Sequence, residues 1–254
     1  MTAAGPSRHL PLAGTYNVRD VGGYPTAGGG ATRWQTLIRA DSLHRLTPEA
    51  QDALLDLGLR TVVDLRRPSE VGQWPNVFAA SPRVRYLNVD LAGGDPLVPA
   101  ERGEDWEMDS LYCAILDRRG AALGEIFRTL ARPGALPAAV HCTAGKDRTG
   151  LVIALALALA AVDHETIAAD YALSSTYLVG QYLEEAKARA AASGLSWDRY
   201  QLRLTCRQEL MRRTLDHLER AHGGAAAYLH AAGLDGGEVD AVREAIVDGD
   251  GDRR

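Results

Sequence analysis

The sequence predicts an α/β fold, with a central sheet packed by helices and a helical C-terminal part over about 163–250. Three observations lead there. Short β-branched or alternating runs are interleaved with helical periodicity as far as His141. The run Leu151–Val162 is apolar on every side, which suits a helix buried against a sheet. Beyond it, only helical spacing recurs, so strands come first and helices last.

Each element has its own reason. Residues 16–30 are rich in glycine and turn formers, and the GGG at 28–30 reads as a hairpin or loop. Gln35–Ala40 is a short apolar strand. Thr47-Pro48-Glu49 starts a helix, with a hydroxyl cap, proline at the first helical position and an acid in the first turn. That helix is predicted to run to Leu57 and stop at Gly58. Arg60–Leu65 and Arg83–Val89 are strands. Ala92–Glu107, rich in Gly, Pro and acids, reads as a loop or the base of a lid, with the variable region extending to about 116. Met108–Leu116 and Ala121–Ala131 are helical, and Ala138–His141 is a short buried strand. Further helices are predicted over Thr149–Ala161, His164–Leu173 (capped by Asp163), Ser175–Ala192, Thr205–His222, Ala225–Ala232 and Glu238–Val247. One domain over 1–254 accommodates all of this.

Bulk properties narrow the function. The formal net charge is -5, so the chain is not built to attract nucleic acid, and any anion site must be local. The three cysteines, Cys113, Cys142 and Cys206, are too few and too odd for a disulfide framework. They fit a reducing compartment or a thiol kept free for chemistry. No CxxC or HExxH spacing is present, so neither a metal site nor a cofactor is expected. The N-terminus lacks a signal-type apolar core. Leu151–Val162 is shorter than the roughly 20 residues a membrane span needs. A cytoplasmic protein without stable membrane insertion is the expectation, with signal-less export left open.

The chemistry is concentrated in HCTAGKDRTG, His141–Gly150, between a buried strand and a strong helix. Five residues separate Cys142 from Arg148. A strand–loop–helix turn presents the backbone N–H groups of Thr143, Ala144, Gly145, Lys146, Asp147 and Arg148 to an anion, and the helix N-terminus adds positive potential. A phosphate dianion fits such a nest, and Arg148 can grip two of its oxygens. The same field lowers a thiol from near ~8.5 to about 3.5–7.5, so Cys142 is expected as a nucleophilic thiolate. His141 is expected to orient the loop, and Thr149 to hydrogen-bond the sulfur. A bare Cys-x5-Arg spacing is weak, and a buried cysteine is usually inert. The flanking His141, Gly145, Lys146, Asp147, Thr149 and Gly150 tip the balance toward catalysis. Cys113 and Cys206, read as helical and without such polar surroundings, are taken as structural.

The segment resembles the signature of the bacterial tyrosine-phosphatase family often called atypical lipid phosphatases. TYNVRDVGGY, LIRADSLHRLTPE, LGLRTVVDLRRPSE, DYALSS and AAYLHAAGLDGGEVDAVREAIV are similar to that family's other blocks, so the likeness covers nearly the whole chain. It implies a cysteine-phosphatase-like, mostly parallel sheet. It also implies a phosphoprotein or phosphoinositide substrate, with Lys146 adding charge for polyphosphorylated head groups. The family pattern makes Asp147 the first candidate for the general acid. Asp90, where a strand gives way to a loop, is second. Asp64 is third and reads as structural, paired with Arg66. Asn17, Arg19 and Asp20 are expected to brace the phosphate loop or line the pocket, with bracing favoured, though a turn with a surface ion pair is the alternative.

Other readings stay in view. An inositol polyphosphate phosphatase shares the cysteine–arginine loop. A rhodanese-type sulfurtransferase is disfavoured by Arg148-Thr149, and a silent phosphate-binding module by the presence of both Cys142 and Arg148. His44, His164, His217 and His222 read as solvated or core histidines, and Tyr171 and Tyr177 as packing. Oligomeric state is not legible.

Overall fold

The computed structural model describes residues 7–93, 108–192, 194 and 196–248. Most of the predicted loop at 92–107 lies outside the described residues.

Strands β1 (Arg19–Asp20), β2 (Ala31–Thr32) and β3 (Leu37–Ala40) precede helix α1 (Pro48–Asp56). Then come β4 (Thr61–Asp64), α2 (Pro68–Gln73), β5 (Arg85–Asn88), α3 (Met108–Arg118), α4 (Gly120–Leu130) and β6 (Ala138–His141). The remainder is α5 (Asp147–Leu159), α6 (His164–Ala172), α7 (Ser174–Tyr177), α8 (Gln181–Ala192), α9 (Trp197–Leu202), α10 (Gln208–His222), α11 (Gly224–Ala231) and α12 (Gly236–Ile246), ending in β7 (Val247–Asp248). The main sheet has the order β1-β3-β6-β4-β5. The β3–β6, β6–β4 and β4–β5 pairs are parallel, and only β1 runs antiparallel at the edge. β2 pairs separately with β7.

Alternation along the strands builds two cores. Leu37, Val63, Ala138 and Val140 face the larger cluster, with Leu123, Phe127, Leu151 and Leu155. Ile38, Ala40, Val62 and Ala139 face the smaller, with Leu43, Leu54 and Phe78. α5 is buried from Thr149 through Leu157, as the predicted buried helix requires. Its position against the sheet fixes where the loop 142–146 ends.

Local signals read correctly at several ends. Thr47 Oγ1 accepts from Ala50 N (3.3 Å) above Pro48, and Gly58 takes a left-handed φ of +88° after α1. Asp163 Oδ1 caps α6 through Thr166 N at 2.9 Å. Two predicted helices change. Ser175–Ala192 is broken into α7 and α8, with Gly180 at φ +56° between them. Thr205–His222 begins only at Gln208, which leaves Cys206 in the preceding loop. Among the described residues, no helix is long and apolar enough to cross a membrane.

Candidate active site

The loop 142–146 leaves β6 at the C-terminal edge of the parallel sheet and enters α5 at Asp147. Ligand sites of open α/β sheets form at this edge. The loop's carbonyls are turned into the protein. Thr143 O accepts from Ser42 N (3.1 Å), Ala144 O from Asn17 Nδ2 (2.9 Å), and Gly145 O from Arg39 Nη2 (2.8 Å). The amides of Thr143, Ala144, Gly145 and Lys146 donate to no acceptor among the described residues. Unspent donors beside a helix N-terminus are what an anion-binding nest requires. Gly145 makes the turn possible. Its φ is +66°, and a Cβ there would lie 2.5 Å from Ala40 O.

A buried charge network holds this loop from below. Asn17 Nδ2 reaches Ala144 O, and Asn17 Oδ1 accepts from Arg19. Arg19 Nη2 donates to Asp170 O (2.7 Å) and Ser174 Oγ (3.1 Å). Arg39 Nη1 lies 2.5 Å from Asp170 Oδ2 while its Nη2 holds Gly145 O. Burial pushes the Asp170 carboxyl up, but Arg39 and Arg19 outweigh it and hold it below the usual range. Burial and the neighbouring Arg39 lower Arg19 to about 10. Asn17 touches the loop directly, and Arg19 acts through it. Asp20 does neither. Its oxygens accept from Gly22 N and Gln35 N, both at 2.7 Å, so it braces the edge of the sheet.

Arg148 points back over the loop. Its Nη1 and Nη2 lie 2.7 and 3.0 Å from the two carboxylate oxygens of Glu70, and Thr143 Oγ1 also donates to Glu70. Burial would lower the guanidinium, but the Cys142 sulfur and Glu70 raise it above its ordinary value. Cys142, 2% exposed, therefore lies within the field of Arg148. Thr149 departs from expectation. Its buried Oγ1 has no hydrogen-bond partner among the described residues, so no bond to the Cys142 sulfur is made in this state.

His141 is buried behind the cysteine. Its Nδ1 faces the Cys142 carbonyl at 3.1 Å, and a carbonyl only accepts, so this nitrogen carries the proton. Its Nε2 meets Asn76 Nδ2 at 2.8 Å and Asp64 Oδ2 at 3.3 Å. Asp64 pairs with Arg66 Nη2 at 2.7 Å. Burial opposes ionisation of Asp64, but His141 and Arg66 hold its carboxyl well below the usual range.

Asp147 is 29% exposed at the first turn of α5, and its Oδ1 accepts from Tyr112 OH. Tyr112 is kept protonated by burial and by Asp147, and it also meets Tyr171 OH at 2.8 Å. Lys146 differs from expectation. Its side chain is buried, and Nζ is held by Arg203 O (2.5 Å), Thr205 O (3.3 Å) and Asp147 Oδ1 (3.0 Å). The ammonium is consumed by the C-terminal segment, leaving only the Lys146 backbone amide for an anion. Asp90 Oδ1 accepts from Gly93 N at 2.8 Å and so closes a local turn. Cys206 also differs: it lies in a loop where Lys146 and Asp147 are electrostatic neighbours, and burial raises its thiol.

Thr143 opens onto a cavity of about 270 Å³ lined by Tyr16, Asp41, His44, Trp74, Tyr182 and Arg189, among others. Burial pushes Asp41 up to about 6 against the amides of Asn17 and Tyr16 that it accepts. Arg45 and Arg189 at this cavity both face Glu185, at 2.7 and 3.6 Å.

Against known proteins, residues 10–248 match the model of the tyrosine phosphatase family. The chain belongs to the tyrosine phosphatase family. A tyrosine-protein phosphatase from Nostoc commune is 31% identical over 81% of this chain and 72% of its own. The triple specificity protein phosphatase PtpB of Mycobacterium tuberculosis is 29% identical over 94% of this chain and 99% of its own. The crystal structure of P. aeruginosa TpbA shares 19% identity over 67% of this chain and 86% of that one, at a TM-score of 0.34. In this tyrosine phosphatase the loop and its bracing segments are also contacted by residues that sequence reasoning passed over: Glu70, Arg39, Asp170, Asp41 and Tyr112. An arginine inside the buried strand Gln35–Ala40 and an aspartate among the alanines of α6 were the available signals, since lone charges in apolar patterns need partners.

Proposed function

We propose that this protein-tyrosine phosphatase works through a phosphocysteine on Cys142. What carries the reading is the loop's polarity: carbonyls tied inward, amides unspent, and Arg148 over the cysteine. The Cys142 thiolate attacks phosphorus, an S–P bond forms, and the P–O bond to the leaving group breaks. The amides and Arg148 take up charge on the equatorial oxygens. The Asp147 carboxyl gives its proton to the leaving oxygen. Water then attacks phosphorus, its proton passes to Asp147, the S–P bond breaks, and inorganic phosphate and thiolate are released. Asp147 is preferred over Asp90 because it opens α5 directly after the loop, next to Arg148, whereas Asp90 lies beyond the end of β5 and closes a local turn with Gly93.

The substrate class follows from the cavity. Tyr16, Trp74 and Tyr182 give the cavity an aromatic lining, which suits the aryl group of phosphotyrosine. Arg45 and Arg189 both pair with Glu185, and Lys146 is withdrawn, so the cationic charge available for a second phosphate is reduced. Phosphotyrosine protein is the main substrate in this reading. Phosphoserine, phosphothreonine and phosphoinositides are slower ones; the M. tuberculosis relative, a triple specificity protein phosphatase, is consistent with more than one substrate class. With no disulfide among the described residues, the three cysteines suit a reducing, cytoplasmic setting.

The test is turnover of p-nitrophenyl phosphate with and without a chelator, beside Cys142→Ser. Chelator-insensitive, vanadate-inhibited turnover that is abolished in the variant is expected. Activity surviving in Cys142→Ser rules the nucleophile out.

A further inference from the structure

Asp117, His217 and His222 come together away from the phosphate loop. The sequence suggested neither a metal site nor any link between these histidines. Asp117 is near the end of α3, His217 is on α10, and His222 is the last residue of α10. His217 Nε2 and His222 Nε2 lie 2.7 and 2.9 Å from the same oxygen, Asp117 Oδ1. The two imidazoles are five residues apart, so one face of a regular helix does not present both. The helix ends at His222, and Gly223 turns away at φ +73°. The surroundings hold this geometry. Tyr228 packs edge-on against His222, with ring centroids 5.0 Å apart, and its hydroxyl donates to Leu116 O at 2.8 Å.

We propose that Asp117, His217 and His222 form a binding site for a divalent transition-metal ion of the zinc class, with solvent completing the coordination. Three donor atoms of the type that such ions take lie within 4.8 Å of one another. Two imidazole nitrogens favour zinc-class ions over magnesium or calcium, which prefer oxygen. Tetrahedral zinc sets its donors about 3.3 Å apart, so the present 2.7 and 2.9 Å need open by only about 0.5 Å. The side chains are 45%, 26% and 23% exposed for Asp117, His217 and His222, which leaves an approach for the ion and its water. The ion would pin α3 to α10. α3 also carries Tyr112, whose hydroxyl serves Asp147.

The test uses the full chain carrying Cys142→Ser, which removes the loop thiol as a competing ligand. The protein is stripped with chelator and titrated with Co²⁺ and Zn²⁺. One ion per chain is expected, with cobalt d–d bands, no thiolate charge-transfer band and a higher melting temperature with Zn²⁺. Adding His217→Ala and His222→Ala should weaken binding by about 100-fold or more. Asp117→Asn, which keeps the shape of the cluster, should weaken it as well, and it decides the matter alone if the histidine variant fails to fold by circular dichroism. No stoichiometric binding, a thiolate charge-transfer band, or affinity unchanged in the folded variants overturns the proposal and leaves a hydrogen-bonded trio.

Discussion

Glu70 controls Arg148 before any substrate arrives. Its two oxygens occupy both ends of the guanidinium fork, so the arginine is already aimed at the loop. Burial works against the Glu70 carboxylate, but Arg148 prevails and holds it down at about 2. An unfolded glutamate titrates near ~4.3, so the pair's contribution to stability is complete above that pH. It is lost as pH falls toward 2. Glu70→Gln should therefore be less stable than the parent in urea at neutral pH, with the gap closing between about pH 5 and 2. A constant gap across that window contradicts the pairing. Asp147 and Asp90 differ at the same scale. In the step that forms the phosphocysteine, read by single-turnover kinetics, Asp147→Asn should slow an alkyl phosphate by about 10²–10⁴ while sparing an aryl phosphate with a good leaving group, because only the alkyl oxygen needs the proton. Asp90→Asn should affect both little. Equal losses on the two esters for Asp147→Asn would count against it as the acid.

At the scale of elements, the phosphate loop is shaped by what packs against it. Asn17, ahead of β1, and Arg39 and Ser42, in and just after β3, each tie a loop carbonyl inward. Gly145 lets those carbonyls turn. Gly145→Ala places a Cβ in the left-handed region and against Ala40 O. It should cost at least about 1–2 kcal/mol of stability, read as a lower melting temperature, and should abolish vanadate binding. Full vanadate affinity in that variant contradicts the account of the turn. The strand–loop–helix context was legible because β6 and α5 are strong local patterns. The break at Gly180 was not, because an isolated glycine inside a helical pattern is often tolerated. The start of α10 at Gln208 was not legible, because Thr205 is held outside the helix by tertiary contacts, its carbonyl accepting from Lys146 and its hydroxyl donating to Leu202 O.

For the whole molecule, the sheet brings together residues that the chain keeps far apart. Arg39 and Asp170 are 131 positions apart, and they meet only because β3 lies beside β6 and α6 packs under the loop. Cys142 and Arg148 share one decapeptide, so both were legible as candidates in the sequence, and Asn17 through its own motif. The support shell is distributed, and each member read alone resembles an ordinary surface charge. Lys146 shows the same limit in reverse. Its place in the motif suggested a substrate contact, whereas tertiary packing binds it to Arg203 and Thr205.

Covalent trapping on Cys142 tests the central claim most directly. The parent and Asp147→Asn would be mixed with an aryl phosphate, quenched in detergent at alkaline pH, digested and mapped by mass spectrometry. One phosphoryl group on the sulfur of Cys142, accumulating more in Asp147→Asn, is the predicted result. A phosphoryl group on any other residue, or turnover that leaves Cys142 unmodified in both proteins, would contradict it.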